Sequence, residues 1–235
     1  MNYKYLTPPE LNSKVKLRQI HFRFDKTRIF SFLSFPIGDI CSLYNNSIKS
    51  QIEKDLEFQN KIKKTPYPTE IETPDDYSDL RENQFIDQEA HQLNSMNSYL
   101  NQMTAVFIWS LLEQTENKLI NYIEKIKKEE NHSGFGNWKD RKQYFKDWNI
   151  ELHNLNNYNT VLELQKFNNK IKHLGKVDSE LSKMPTFRNK LNQPLEYITI
   201  PIEKYLNSFY TYLIDLFCEI EHKFFEYKLN EDYKN

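Results

Sequence analysis

The residues of this chain with the clearest potential for chemistry lie within nine positions, from 165 to 173. They are Gln165, Lys166, Asn168, Asn169, Lys172 and His173. An imidazole ionises near neutral pH and can accept or donate a proton, while a lysine can stabilise the negative charge of a phosphorane. An amide can orient a hydroxyl or a phosphate. These side chains form the minimal set for metal-independent cleavage of RNA through attack of the 2′-hydroxyl.

A helix from about Tyr158 to Leu174 is expected to carry these residues. Its apolar side chains recur at helical spacing and predict a buried face: Val161, Leu164, Phe167, Ile171 and Leu174. At about 100° per residue, a second sector of the helix is polar. It contains Gln165, Asn169, Lys172 and His173. Leu162 lies within that sector, which favours a face buried at a subunit interface. The alternative is that His173 only places a favourable charge near the end of the helix.

Residues 164–175 resemble the signature helix of the HEPN superfamily. That signature is Arg, four to six residues and then His, often written Arg-Asn-x-x-x-His. Asn169, the run Ile171-Lys172-His173 and the downstream Gly175 all have counterparts in it. The resemblance extends over residues 81–227 and does not account for the first eighty residues.

The chain departs from the signature at the arginine. Asn168 takes that position at the four-residue spacing, and Lys166 takes it at the six-residue spacing. Lysine keeps the charge but lacks the planar fork with which a guanidinium binds a phosphate. Lys172 could compensate as a point charge.

The resemblance implies an α-helical bundle that forms a homodimer, in which two signature helices meet and create a composite RNA-cleaving cleft. It places the protein in prokaryotic defence or a toxin–antitoxin system, with RNA as substrate and an antitoxin or another defence protein as partner. The implied catalytic residues are His173, Asn169 and Lys172, and the implied substrate-binding residues are Lys166, Asn168 and Gln165. Other members of the superfamily are non-catalytic and bind RNA, a nucleotide or a partner protein, so that function stays open as the alternative.

The composition favours an all-α fold of four to five helices, because only four glycines are present and β-rich folds need more for their turns. We predict helices over residues of about 39–63, 81–130, 138–148, 158–174 and 201–228. We divide the chain into an N-terminal extension (1–80), a HEPN-like bundle (81–228) and a polar tail (229–235).

The sequence of the N-terminal extension predicts a short β element followed by a helix. Val15–Phe24 alternates in part and could pair as a strand with Ile29–Phe35. Pro36-Ile37-Gly38 is expected to break the chain, so that the next helix begins at Asp39. Three prolines in Thr65–Asp79 indicate a linker.

The long helix over residues 81–130 is expected to place an apolar stripe against the core. The stripe consists of Leu93, Met96, Leu100, Met103, Phe107, Leu111, Leu119, Ile123 and Ile126. Glu113, Glu116 and Glu124 could reach His173, since in some HEPN groups an acidic residue on this helix assists the site. The alternative is that these carboxylates are surface charges at helical spacing.

Charge, cysteine and histidine usage limit which binding sites and which cellular compartment we expect. The 32 basic and 33 acidic residues nearly cancel, so any surface that binds phosphate must be a local patch. Cys41 and Cys218 lie far apart and indicate buried thiols in a reducing compartment. His91 and His222 have no companions at ligand spacing, so we expect neither a metal nor a cofactor. No apolar run reaches the ~20 residues of a membrane span, and we expect a cytoplasmic protein.

Overall fold

The computed structural model describes residues 4–8, 26–64, 74–126, 134–173 and 175–232. Its helices are α1 (Lys26–Lys64), α2 (Pro74–Ile126), α3 (Trp138–Asp147), α4 (Tyr158–His173) and α5 (Ile202–Asp232). The described ranges contain no β-strand, only an isolated antiparallel bridge between Lys176 and Pro194. The expected all-α bundle of four to five helices is confirmed. None of the described helices is both long and apolar enough to cross a membrane.

The β element predicted near the N-terminus is wrong where the structure describes it. Ile29–Phe35 belongs to α1 and is helical, so it cannot be the second strand of a hairpin. The other strand, Val15–Phe24, lies outside the described residues. Among residues 4–8, Leu6 is buried in the core, and its N–H and C=O bond to the side-chain amide of Asn45 at 2.7 and 2.9 Å.

Helix α1 also corrects the predicted break at Pro36-Ile37-Gly38, because it runs through Pro36 without ending. The buried side chains keep helical spacing across the proline: Leu33, Ile37, Cys41, Tyr44 and Ile48. A proline inside a helix costs ~3 kcal/mol, whereas each large apolar side chain buried contributes ~1.5–3 kcal/mol. Packing therefore outweighs the local cost, and the helix predicted from Asp39 begins thirteen residues earlier.

Helix α2 begins at Pro74, so the linker predicted over Thr65–Asp79 is wrong for its last six residues. A proline is well tolerated in the first turn of a helix, where its missing N–H has no intrahelical partner to lose. Residues 65–73 and 127–133 lie outside the described residues. The helix predicted over residues 81–130 extends into the second of these ranges.

One continuous core joins α1, α2, α4 and α5, so α1 is part of the bundle. Helix α5 supplies much of its volume through aromatic side chains that are almost fully buried. These include Tyr205, Phe209, Tyr212 and Phe217. The predicted bounds of α3 and α4 agree with the structure to within one residue.

Helices α2 and α4 run antiparallel, and this arrangement sets what surrounds the polar sector. Tyr158 begins α4 near Glu116, and burial together with that carboxylate raises the pKa of Tyr158. Thirteen residues later, Ile171 lines a groove with Met103, which precedes Glu116 by the same number of residues. The end of α4 therefore lies beside the middle of α2, ~20 Å from Glu116.

Candidate functional site

The polar residues of α4 do not share one environment. Asn169, Lys172 and His173 are exposed on its last turns, and Gln165 and Lys166 are partly exposed. The structure therefore brings five of the six residues to one solvent-facing side of the helix. The sixth residue, Asn168, is buried.

Asn168 lies inside the protein, with 1% of its surface exposed. On a helix it is only ~40° from Leu164, on the side of the buried stripe. Its side-chain oxygen has no hydrogen-bond partner among the described residues. This is the position at which the four-residue spacing of the signature requires arginine. In this conformation Asn168 does not reach the surface that carries Asn169 and His173.

A buried carboxylate fixes the rotation of α4. Glu163 is 1% exposed and accepts hydrogen bonds from the hydroxyls of Tyr205 (2.8 Å) and Thr186 (2.5 Å). It also accepts the backbone N–H of Thr186 at 3.2 Å. Burial, together with the negative charge of Glu163, raises the pKa of Tyr205 far above its usual range, so this phenol stays protonated. These bonds hold α4 to α5 and turn its polar sector outward.

The loop after α4 fixes the end of the helix. Gly175 has φ +60°, a left-handed conformation that favours glycine, and its N–H donates to the C=O of Lys170 at 3.1 Å. The Lys170 ammonium pairs with Asp178 at 2.5 Å. Partial burial alone would raise the pKa of Asp178, but bonds from Lys170 and from the N–H groups of Leu181 and Glu180 lower it. The glycine predicted to follow the helix is confirmed in that role.

Leu162 has a partner within its own chain. It is partly buried and packs against the main core. The sequence interpretation used Leu162 as a sign of a subunit interface, and intramolecular packing explains the same residue. Leu162 is therefore no sign of an interface on α4.

The acidic residues of α2 do not approach His173 within the chain. Arg141, which is 1% exposed, binds Glu116 through Nε at 2.8 Å and Glu113 through Nη2 at 2.9 Å. Glu124 is buried and accepts a hydrogen bond from Tyr144. These contacts lie at the opposite end of α4 from His173. Within one chain these three carboxylates therefore do not assist His173, and the alternative that they are surface charges is wrong for Glu116 and Glu124, which are buried.

Sequence reasoning missed this buried ion-pair network. Trp138, Arg141 and Phe145 are three and four residues apart and form the buried face of α3. An arginine at helical spacing between two large aromatic residues is the signal that could have revealed it. The tyrosine hydroxyl of Tyr212 donates a further bond to Glu116 at 3.0 Å. Burial raises the pKa of Glu116, and the charge of Arg141 opposes that effect.

The apolar stripe predicted along α2 divides in the structure. Leu93, Leu111, Leu119 and Ile123 are buried as expected. Met96, Met103 and Phe107 are 43%, 58% and 51% exposed, so the expectation that they face the core is wrong. They align on a different side of the helix from the buried residues, because α2 carries apolar side chains on more than one face.

Two of these exposed side chains, Met103 and Phe107, line an open groove of about 450 Å³. It is lined by Tyr99, Gln102, Met103, Val106, Phe107 and Ile171. Ile171 belongs to α4 and precedes His173 by two residues, so the groove runs beside the last turns of that helix. Tyr197, which is 66% exposed, lies near Tyr99 at the same end.

The arrangement offers acid–base chemistry and charge stabilisation. Within the described ranges, no three His, Cys, Asp or Glu side chains lie close enough to hold a metal ion together. The exposed surface of α4 instead presents an imidazole, a primary amide and an ammonium within one turn. Comparison of the chain with protein-family models, curated proteins and solved structures found no match.

Proposed function

We propose that this protein is a HEPN-like endoribonuclease that cleaves RNA without a metal, as a cytoplasmic homodimer in prokaryotic defence or a toxin–antitoxin system. The observation that carries the proposal is the exposed group of Asn169, Lys172 and His173 on the last turns of α4. The helix that presents this group is anchored through Glu163 and Asp178. An imidazole beside a cation on an anchored helix is suited to proton transfer at a phosphate ester.

In the proposed reaction, the neutral imidazole of His173 takes the proton from a 2′-hydroxyl. The 2′-oxygen then attacks the adjacent phosphorus, and the bond from phosphorus to the 5′-oxygen breaks. Lys172 stabilises the phosphorane, Asn169 orients the reacting groups, and Gln165 and Lys166 bind the neighbouring nucleotides. The products are a 2′,3′-cyclic phosphate and a 5′-hydroxyl.

This chemistry needs a second copy of the chain. An acid must protonate the leaving 5′-oxygen on the side opposite the base, and α4 carries one histidine. The partner's His173, as imidazolium, supplies that proton. After the cyclic phosphate is released, the base gives its proton to solvent and the acid takes one up, which returns the pair of chains to its starting state.

The exposed stripe of α2 supports a second copy. Tyr99, Met103 and Phe107 line the groove, Tyr197 lies near Tyr99, and Met96 precedes Tyr99 by three residues on α2. All five side chains are 43–66% exposed. With ~200 Å² per large side chain, half of it exposed, they present ~500 Å². The largest apolar patch of a typical monomer is ~300–600 Å² and is often functional, and a standard interface buries ~800 Å² per partner. A second copy seated on this stripe would lie beside the end of α4.

The decisive experiment compares wild type with His173→Ala on a labelled single-stranded RNA in the presence of EDTA. We expect the wild type to release fragments ending in a 2′,3′-cyclic phosphate, and the variant to be at least a hundredfold slower. His153→Ala is the matched control, because His153 is also exposed and lies outside α4. Equal cleavage by His173→Ala and wild type, with a circular-dichroism spectrum unchanged, would refute the assignment.

One observation favours a second candidate, a non-catalytic module that binds RNA, a nucleotide or a partner protein such as an antitoxin. Asn168 takes the signature arginine's position and is buried, so no guanidinium is presented there. This candidate predicts that the wild-type protein leaves the same RNA intact while retaining it in a filter-binding assay. Cyclic-phosphate products that depend on His173 would exclude it.

A further inference from the structure

The segment that begins in α4 and continues through the following loop is strongly basic, although the whole chain is not. Residues 166–190 contain seven Lys or Arg and two Asp or Glu, together with His173. The whole chain has a formal net charge of −1, so the remainder is acidic. The basic residues are Lys166, Lys170, Lys172, Lys176, Lys183, Arg188 and Lys190. Such an asymmetry concentrates positive potential on one part of the surface.

The loop folds back along α4 and keeps these charges close to the helix. Asp178 is held at the level of Lys170 by their ion pair, and Thr186 is held at the level of Glu163 by two hydrogen bonds. The loop thus runs beside ~10 Å of the helix, from its end toward its middle. The rings of Phe187 and Phe167 fix it there, with centroids 5.2 Å apart.

The anchoring contacts leave most of the positive charge facing outward. Within the described part of this segment, the one ion pair is that of Lys170 with Asp178, which removes one cation and one of the two anions. Lys172, Lys176, Lys183 and Arg188 are exposed. The surface formed by α4 residues 166–173, which carry His173, and the loop residues 176–190 is here called the basic track.

We propose that the basic track binds the sugar–phosphate backbone of single-stranded RNA and that the loop residues Lys176, Lys183 and Arg188 are its contacts beyond α4. Nucleic acid fits this surface because spaced cations on a rigid loop neutralise successive phosphates and release their counterions. An arginine adds bidentate phosphate binding. The inference rests on the proposed function for the identity of the ligand, but it concerns binding and not the chemical step.

The test measures binding of a fluorescein-labelled 20-nucleotide RNA by anisotropy between 50 and 200 mM salt. The test variant combines Lys176→Gln, Lys183→Gln and Arg188→Gln. Each lost phosphate contact lowers the slope of log K against log salt by ~0.7, so three contacts lower it by ~2. The affinity advantage of wild type over the variant should therefore shrink ~20-fold over this fourfold change in salt.

The matched control removes three cations from other exposed surfaces, through Lys49→Gln, Lys54→Gln and Lys139→Gln. This control changes the net charge by the same amount as the test variant, and we expect its affinity for the RNA to stay within threefold of wild type. Equal losses in both triple variants would overturn the proposal, since net charge alone would then explain binding. Tighter binding of wild type to polyglutamate or to phosphatidylserine vesicles than to RNA would also overturn it.

The result separates this inference from the proposed function. His173→Ala keeps the loop cations Lys176, Lys183 and Arg188, so it should lose less affinity for RNA than the loop variant even if it fails to cut. A protein that binds RNA through the track and never cleaves it would sustain the inference and refute the nuclease. If cleavage depends on His173 while the loop variant binds RNA as wild type does, the nuclease is supported and this inference is refuted.

Discussion

Replacing Arg141 by methionine is expected to destabilise the protein by about 4 kcal/mol at pH 7, because it leaves Glu116 buried without its cation. Glu116 has no exposed surface, and Arg141 contacts it at 2.8 Å. Methionine preserves much of the apolar volume of the arginine stem. The perturbation therefore removes the charge and the hydrogen bonds while limiting the cavity.

The magnitude follows from the proton that Glu116 must take up. A carboxyl group with an ordinary pKa of ~4.3 costs about 3.7 kcal/mol to protonate at pH 7, and about 1 kcal/mol at pH 5. Burial already raises the folded-state pKa of Glu116 in the wild type, and loss of Arg141 raises it further above the unfolded-state value. Stability relative to wild type is therefore greatest below about pH 4.3 and is lost as the pH rises. The two lost bonds to Glu113 and to the carbonyl of Phe135 add a smaller, pH-independent part.

The assay is urea unfolding of wild type and variant, followed by circular dichroism at pH 5 and pH 7. Lys139→Met is the control, because Lys139 is exposed on the same helix, and it should change stability by less than about 0.5 kcal/mol. Adding Glu116→Gln to Arg141→Met should recover stability at pH 7, since an amide has no charge to neutralise. A loss that is the same at both pH values, with no recovery in the double variant, would refute the reasoning.

Two further predictions concern the groove and the loop. Met103→Glu should raise the dissociation constant of the dimer at least tenfold in sedimentation velocity. The control Leu43→Glu, at a similarly exposed apolar residue of α1, should leave that constant unchanged. A wild-type protein that is monomeric at high concentration would contradict this prediction. Asp178→Asn should lower stability near pH 7, since the lowered pKa of Asp178 stabilises the folded state above ~3.9. The difference from wild type should vanish as the pH falls below that value, and a pH-independent difference would exclude the ion pair with Lys170 as its cause.

The local sequence determined the elements nearest the candidate site. Helices α3 and α4 have strong apolar periodicity, and Gly175 supplies a left-handed residue that ends α4. These signals lie within a few residues of the structure that they specify, so they can be read without knowing the fold. The exposure of Asn169, Lys172 and His173 followed from the same periodicity.

Other features depend on partners that are distant in sequence. Helix α1 continues through Pro36 because its buried face packs on the bundle, which local signals do not report. Arg141 is buried because Glu116, twenty-five residues earlier, neutralises it. The loop after α4 turns its cations outward because Glu163 and Phe167 hold its inner side.

The sequence by itself determined that the chain is helical and which residues of α4 share a polar sector, since both depend on spacing along one element. Only the tertiary structure decided that Asn168 is buried, that the acids of α2 lie away from His173, and that Met103 and Phe107 are exposed. Burial is fixed by which faces of different helices meet, and that choice minimises the free energy of the whole core and not of any one helix.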